Sequence, residues 1–479
     1  MWSQLPPELK LAVADACLPL DAVKALASID RATYNACLPA TFRNVRLYDY
    51  KGLQAFLQNV PSEYVRYIHR LDLCIEDKSG SETVETKTKT VTALLASCIC
   101  LKELTLRLEG SLHHSLTACF RDLTDITRLT ITNCSDENDR PLSERFVVSV
   151  CASLPSLEHI SLDRITRSVL HAPELHGQYP YIPLVRNDDT IPNHPALGSA
   201  LSLPSLLSIP TLKSLCIRDT HLGDPLWETS PVKCQLQKLD LGAYSGCDED
   251  FNRVCTERIM SALSAGRTTS SLVSLSLTTS LSSLISTPPP TTRLSAPVAV
   301  TTAKPQQTVS KYHLPSLRKL QLSPFFPIDS VVDTMTHLAS SPIERVEMQC
   351  YEDDVVDVCE RLEEFIALRM DKGRNADDDD DNSAKRVRGF FENLQRIDLV
   401  AVRDQDGTSL GSAIDDEAIK KLQRTCREAK LLSSVSKAKF SRDLVGLDLE
   451  LLDQREQVYA PTNATAGRWA DGRVRSNTI

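Results

Sequence analysis

Aromatic residues make up only 5% of this 479-residue chain, too few for a core filled by large rings. An excess of positive charge is also missing. The 54 Lys and Arg stand against 63 Asp and Glu, a net charge of −9, opposite in sign to the cationic footprint of a duplex-binding protein. The start, Met1-Trp2-Ser3-Gln4, has no basic n-region, and Glu8, Lys10 and Asp15 interrupt the apolar stretch behind it. The longest uncharged run, Thr268 to Thr292, is mostly Ser, Thr and Pro, too polar to span a bilayer. The expectation is a soluble protein of the cytoplasm, the nucleus or both, with no membrane and no nucleic acid among its partners.

Several catalytic and cofactor classes fall for want of residues. No C-x-x-C is present, and Cys98-x-Cys100 has no second pair to complete a zinc site. The 15 cysteines read as reduced, core-filling thiols. His113-His114 and His171-x-x-x-x-His176 lack accompanying carboxylates or thiols, so no metal site is expected. No Walker or Rossmann glycine pattern occurs. Gly407-Thr408-Ser409-Leu410-Gly411 matches a nucleophile elbow in spelling, but that chemistry needs a histidine downstream and the last one is His337. The expectation is a chain without catalytic residues, metal or cofactor.

One phrase recurs instead: apolar-x-x-apolar-x-apolar. Its eleven copies begin at Ile68, Leu101, Ile126, Leu157, Leu212, Leu236, Leu272, Leu317, Ile343, Leu394 and Leu444. The last four residues of each alternate with period 2, which makes a short strand with one apolar and one polar face. Helical spacing lies between copies, at Phe146, Val147, Val150 and Cys151 behind a cap at Ser143, at Ile259, Met260 and Leu263, and at Val355 to Ile366 after Asp354. Alternating strands and helices imply parallel crossovers, and units that cannot bury an apolar face alone must stack. Ile126 to Cys134 fits L-x-x-L-x-L-x-x-N/C at all nine positions, and the pattern resembles the leucine-rich repeat. The resemblance implies an α/β solenoid with a curved parallel sheet over residues 51–453. Inside it, 278–310 reads as a Ser/Thr/Pro-rich insertion and 371–388 as an acidic and basic one carrying Asp377 to Asp381; 454–479 is a polar tail.

Residues 1–50 differ. Leu9, Val13, Ala16 and Cys17 share one helical face, a second helix follows Asp21, and Asp30 caps a third that Pro39 should stop. Leu5-Pro6-x-Glu8-Leu9, Leu18-Pro19-Leu20, Val23, Leu26 and Ile29-Asp30-Arg31 resemble the F-box. With the repeats behind it, the chain resembles fungal-type F-box/leucine-rich-repeat proteins. That resemblance implies a substrate receptor that docks a Skp-family adaptor and cullin scaffold of a ubiquitin ligase through Leu5, Pro6, Glu8, Leu9, Val13, Leu20, Val23, Leu26 and Ile29. An alternative is a leucine-rich-repeat scaffold or GTPase regulator. Strand alternation places Arg107, Arg128, His159, Arg218, Arg345 and Asp398 on the concave face as candidate substrate contacts. The charged strand positions also suggest a gradient along that face, Arg-rich early and acidic late.

Overall fold

A computed structural model describes residues 5–17, 23–77, 80, 82–176, 181–265, 271–281, 312, 314–374, 391–403 and 416–439. Its frame is one parallel sheet of twelve strands in strict chain order. These are β1 (Asn44–Leu47), β2 (Arg70–Cys74), β3 (Glu103–Leu108), β4 (Arg128–Asn133), β5 (His159–Asp163), β6 (Ser214–Arg218), β7 (Lys238–Leu241), β8 (Ser274–Leu277), β9 (Lys319–Leu322), β10 (Arg345–Tyr351), β11 (Arg396–Arg403) and β12 (Leu432–Lys439). Ten of the eleven phrases supply β2 to β11; the copy at Leu444 lies outside the described residues. The sequence reading missed the two ends, β1 and β12. β1 belongs to the sheet although Asn44 falls within the stretch assigned to the N-terminal module, because Val45 and Leu47 pair in register with Leu71 and Leu73. In β12 the sequence Leu-Ser-Ser-Val-Ser-Lys-Ala-Lys has too few apolar positions to repeat the phrase.

The register stacks the apolar residues into columns. Leu71, Leu104, Leu129, Ile160, Leu215, Leu239, Leu275, Leu320, Val346 and Ile397 stand side by side, as do Leu73, Leu106, Ile131, Leu162, Ile217, Leu241, Leu277, Leu322, Met348 and Leu399. The phrase's first residue, from Ile68 to Leu394, turns under the sheet and is at most 4% exposed in every copy. At the entries of β2 to β11 one backbone carbonyl accepts two amides from the next unit. Thus Lys102 and Glu103 donate to His69, Thr127 and Arg128 to Lys102, and Glu158 and His159 to Thr127, a pattern running from the Arg43 carbonyl to that of Glu344 at 2.7–3.2 Å. Helices 84–97, 144–153, 249–265, 331–337, 355–374 and 416–428 close the crossovers and cover the apolar face.

The helix Glu144–Ser153 starts where expected, Ser143 accepting from the Arg145 and Phe146 amides. In Ile126 to Cys134 the alternation continues one residue further than the repeat formula requires. Asn133 is the buried residue, its side chain accepting from Gly110 N and donating to Arg140 O, while Cys134 is exposed. Thr278 to Leu281 pack onto the array rather than opening an insertion: Thr278 Oγ1 donates to Leu241 O and Leu281 is fully buried. Likewise the helix Val355–Arg374 runs through Asp371 to Arg374, taken as the start of the second insertion. Residues 282–311, 375–390 and the tail 454–479 lie outside the described set.

Between β5 and β6 the chain makes a long excursion that sequence reading registered only as a wide repeat spacing. Short 3-10 turns, not a long helix, fill it. Three side chains at the start of helix Glu144–Ser153 tie it down. The fully buried Glu144 carboxylate accepts from Ser168 N at 2.9 Å and Leu203 N at 3.3 Å, and meets His171 Nδ1 at 3.1 Å. Arg145 donates to the carbonyls of Asp188 and Ile191. Asp188 accepts from the Ser143 and Ser168 hydroxyls at 2.6 and 2.7 Å. Such a network is stable because each buried polar group finds partners, and removing one member strands the others. Asp188→Ala should therefore cost about 3 kcal/mol in urea unfolding, while its exposed neighbour Asp189→Ala should stay within about 0.5 kcal/mol.

Three short helices precede the sheet: α1 (Pro7–Cys17), α2 (Val23–Ala27) and α3 (Arg31–Thr41). Asp30 caps α3 as expected, accepting from Thr33 N at 2.7 Å. Pro39 lies inside that helix and does not stop it at once, since only Ala40 and Thr41 follow and proline forfeits a single amide there.

Candidate functional site

The face of the sheet opposite the helices carries the polar residues in rows that run across the strands. The first row is Arg70, Glu103, Arg128, His159, Ser214, Lys238, Ser274, Lys319, Arg345 and Arg396. Two residues further along each strand come Asp72, Thr105, Thr130, Ser161, Cys216, Asp240, Ser276, Gln321, Glu347 and Asp398. The first row is mainly basic, with Glu103 its acid, and the second holds Asp72, Asp240, Glu347 and Asp398. Polarity therefore runs along the strands, from their entries toward their exits. The expected gradient along the array is absent among the described residues, where basic and acidic groups are as balanced late as early; its Asp448 and Glu450 fall outside them.

Most of these charges are matched between neighbouring strands. Arg107 grips Asp72 with two bonds, Nε at 3.2 Å and a terminal nitrogen at 2.5 Å. Arg218 donates to Asp240 at 2.5 Å. Arg345 bonds Asp398 at 2.6 Å and lies 3.5 Å from Glu347, which Lys319 meets at 3.2 Å. Asp398 also accepts from Arg396 and Ser434. Burial works against its carboxylate, yet these hydrogen bonds and the Arg345 charge outweigh burial and lower its pKa. Of the six candidate contacts, Arg107, Arg218, Arg345 and Asp398 thus hold strand to strand, whereas Arg128 and His159 stand side by side on β4 and β5. Between the matched pairs lies a stretch of small neutral groups, Thr105, Thr130, Ser161 and Cys216, bordered by Arg128 and His159. Sequence reading missed Lys213, directly before β6, which meets Glu158 at 2.6 Å; the signal was its place at the strand entry.

Loops leaving the strand ends add a second feature. Tyr244, after β7, donates its hydroxyl to Glu137, after β4, at 3.2 Å. Burial, joined by the Asp219 charge, pushes the Glu137 carboxyl up to about 7 despite that hydrogen bond. A pocket of about 400 Å³ is lined by Asp77, Glu109, Asp136, Asp139 and Arg140, with Arg140 at 2.7 Å and Lys87 at 3.3 Å from the Glu109 carboxylate. No group of three metal-ligating side chains occurs among the described residues, and none of their helices is long and apolar enough to cross a membrane.

The N-terminal helices divide the proposed docking residues. Ala14, Val23, Cys37 and Ala40 form a small core with Leu26 and Ala27 against it, so Val23 and Leu26 are committed to packing. Leu9 is 52% exposed, Val13 37% and Ile29 58%. Pro6 and Glu8 are exposed, Leu5 is half-buried, and Leu20 is outside the described residues.

No family model matches the chain, and no curated protein sequence matches it. Among solved structures it is similar to one described as the crystal structure of the Rad7 and Elc1 complex in yeast. The two share 13% identity over 88% of this chain and 87% of that one, with a TM-score of 0.35.

Two outcomes follow from these contacts. Arg107→Glu places a carboxylate against Asp72 and should cost about 1–2 kcal/mol, most of it recovered by the swap Asp72→Arg with Arg107→Asp, read by chemical unfolding. Because Glu137 binds its proton more tightly folded than unfolded, its contribution is fully present below about pH 4.5 and lost as pH rises through about 7. Glu137→Gln should flatten the stability–pH curve across that window.

Proposed function

We propose that this chain is a non-catalytic substrate-recognition subunit of a Skp–cullin–F-box-type ubiquitin ligase, working in the cytoplasm or nucleus. The observation that carries the reading is the pairing of an N-terminal three-helix module with the repeat array. The module's core is four small buried residues, while Leu9, Val13, Ile29 and Tyr34 face solvent. An isolated module of that size buries too little to leave large apolar groups exposed without a partner. The Leu5-Pro6-x-Glu8-Leu9 signature opens this module, and in F-box proteins such a segment docks a Skp-family adaptor. The array behind it is read as a leucine-rich-repeat solenoid whose open polar face binds a protein substrate.

In this arrangement the chain contributes position. Tethering a substrate near a transferring enzyme raises the effective concentration of its lysines, and no group here needs to react. The adaptor and cullin scaffold supply the connection, and transfer is carried out elsewhere in the complex.

The test is direct capture of a purified Skp-family adaptor by the full chain. Leu9→Asp with Ile29→Asp should weaken capture by about tenfold or more, since a charge at each anchor must be desolvated. Both side chains are largely exposed, so the thermal melt should barely move. Undiminished capture by the double variant, or none by the wild type, would make the helices a cap on the array and the chain a scaffold outside ubiquitination.

A further inference from the structure

The loop that leaves β7, Gly242–Asp248, reaches much further than its neighbours. Three strand spacings, about 14 Å, separate β7 from β4. The loop nevertheless meets the one after β4, where the Tyr244 hydroxyl donates to Glu137 at 3.2 Å. It does so by lying across the exits of β5 and β6. Gly242 starts it against the end of β6, so close that a Cβ there would stand 2.9 Å from the Arg218 Cα. Ser245 then donates its amide to Asp219, just past β6, at 2.9 Å. The returning end is pinned to the first turn of helix Glu249–Ala265. There the Asn252 side chain accepts from the Tyr244 amide at 2.9 Å and donates to the carbonyls of Tyr244, Cys247 and Asp248. The buried His221 ring packs edge-on against Tyr244, centroids 5.8 Å apart, and lies 4.7 Å from Phe251.

Both contacts at the tip of this loop end on carboxyl groups. The Asp219 and Asp163 charges, after β6 and at the end of β5, oppose a charge on Glu137, while Arg164 favours it. Glu137 Oε1 is buried and has no hydrogen-bond partner among the described residues. An ionised oxygen without a donor costs more to bury than a neutral one, so the closed loop favours a protonated Glu137. We propose that Gly242–Asp248 is a strap latched across the exits of β4 to β7 by one proton on Glu137, and that departure of this proton to solvent loosens it. The carboxyl O–H is the bond that breaks, and repulsion between Glu137 and Asp219 then works against both tip contacts. Burial and the Asp219 charge push the carboxyl from its ordinary 4.5 up to about 7 in the closed loop, so the latch is intact in acid and weakens between those values. Tyr244, Cys247 and His221 do not supply this response. Burial keeps Tyr244 and Cys247 protonated well above that range, and burial with the Arg167 charge lowers His221 to about 4. Loosening bares the Tyr244, His221 and Phe251 rings at the exit end of the open face, an apolar contact that acid withholds. The device is independent of the ubiquitin-ligase reading.

The test is hydrogen exchange of the full chain at pH 5 and pH 8, read by mass spectrometry on peptides spanning 242–248. Dividing the wild-type rate by that of Glu137→Gln at the same pH removes the intrinsic pH dependence of amide exchange, because glutamine offers Tyr244 a neutral acceptor at both. The ratio should rise by about tenfold or more from pH 5 to pH 8, since each pH unit between the two proton affinities carries up to a factor of about ten. Asp219→Asn keeps an acceptor for the Ser245 amide and suits the left-handed backbone there, φ 41°. It removes the like charge and should shrink the rise. Peptides from β10 should show no change in the ratio. A ratio flat with pH, a rise undiminished in Asp219→Asn, or a rise shared by β10 overturns the latch.

Discussion

The entry of each strand from β2 to β11 is fixed by a single carbonyl that accepts two amides from the following unit, and this shared acceptor sets the phase of the array between them. It is satisfied only if the next strand begins at the same height. Once that height is set, the period-2 alternation sends the second and third apolar residues of every phrase to the helix side and leaves their neighbours on the open side. A one-residue slip would reverse both faces at once. The first apolar residue, turned under the sheet just before the entry, keeps such a slip from occurring, because displacing it would leave a large cavity beneath the carbonyl ladder.

That fixed phase also makes the charges meet. Side chains at equal heights on neighbouring strands are close enough for like charges to repel, so a row of arginines and lysines needs acids one step away. β9, β10 and β11 show the solution in full, with Lys319, Arg345 and Arg396 answered by Glu347 and Asp398. Arg107 with Asp72 and Arg218 with Asp240 do the same across β2, β3, β6 and β7. These pairs are framework, which is why charge alone does not mark a side chain as a contact for a partner.

The strands were legible because alternation is a property of adjacent residues. Leu157-Glu158-His159-Ile160-Ser161-Leu162 announces β5 without reference to anything distant. Three of the helices were legible for the same reason, through caps and spacing such as Ser143 before Phe146, Val147 and Val150. Pairing partners were not. That Arg107 reaches back to Asp72, or that Asp188 closes on Ser143, depends on which loops return to the sheet, and no local pattern encodes it. β12 was hidden because its side chains, Ser433, Ser434 and Ser436, lack an apolar rhythm, and it is a strand because β11 offers it an edge. At the N-terminus the helices followed from caps and prolines, while the division into packed Val23 and exposed Leu9 required knowing how α1, α2 and α3 meet.

The buried network around Glu144, Arg145 and Asp188 changes how the array must assemble. In a simple stack each unit leans on its neighbours, and order can spread from any point one repeat at a time. Here the start of one helix is bonded to chain 20 to 60 residues away, as in Ser143 with Asp188 and Glu144 with Leu203. Neither side is satisfied until the whole excursion has returned. Residues from β4 to β6 therefore gain or lose their structure together, a cooperative block whose loop closure is slow compared with the local pairing on either side. Partial opening should respect its borders, with the units before β4 and after β6 able to loosen while the block stays closed.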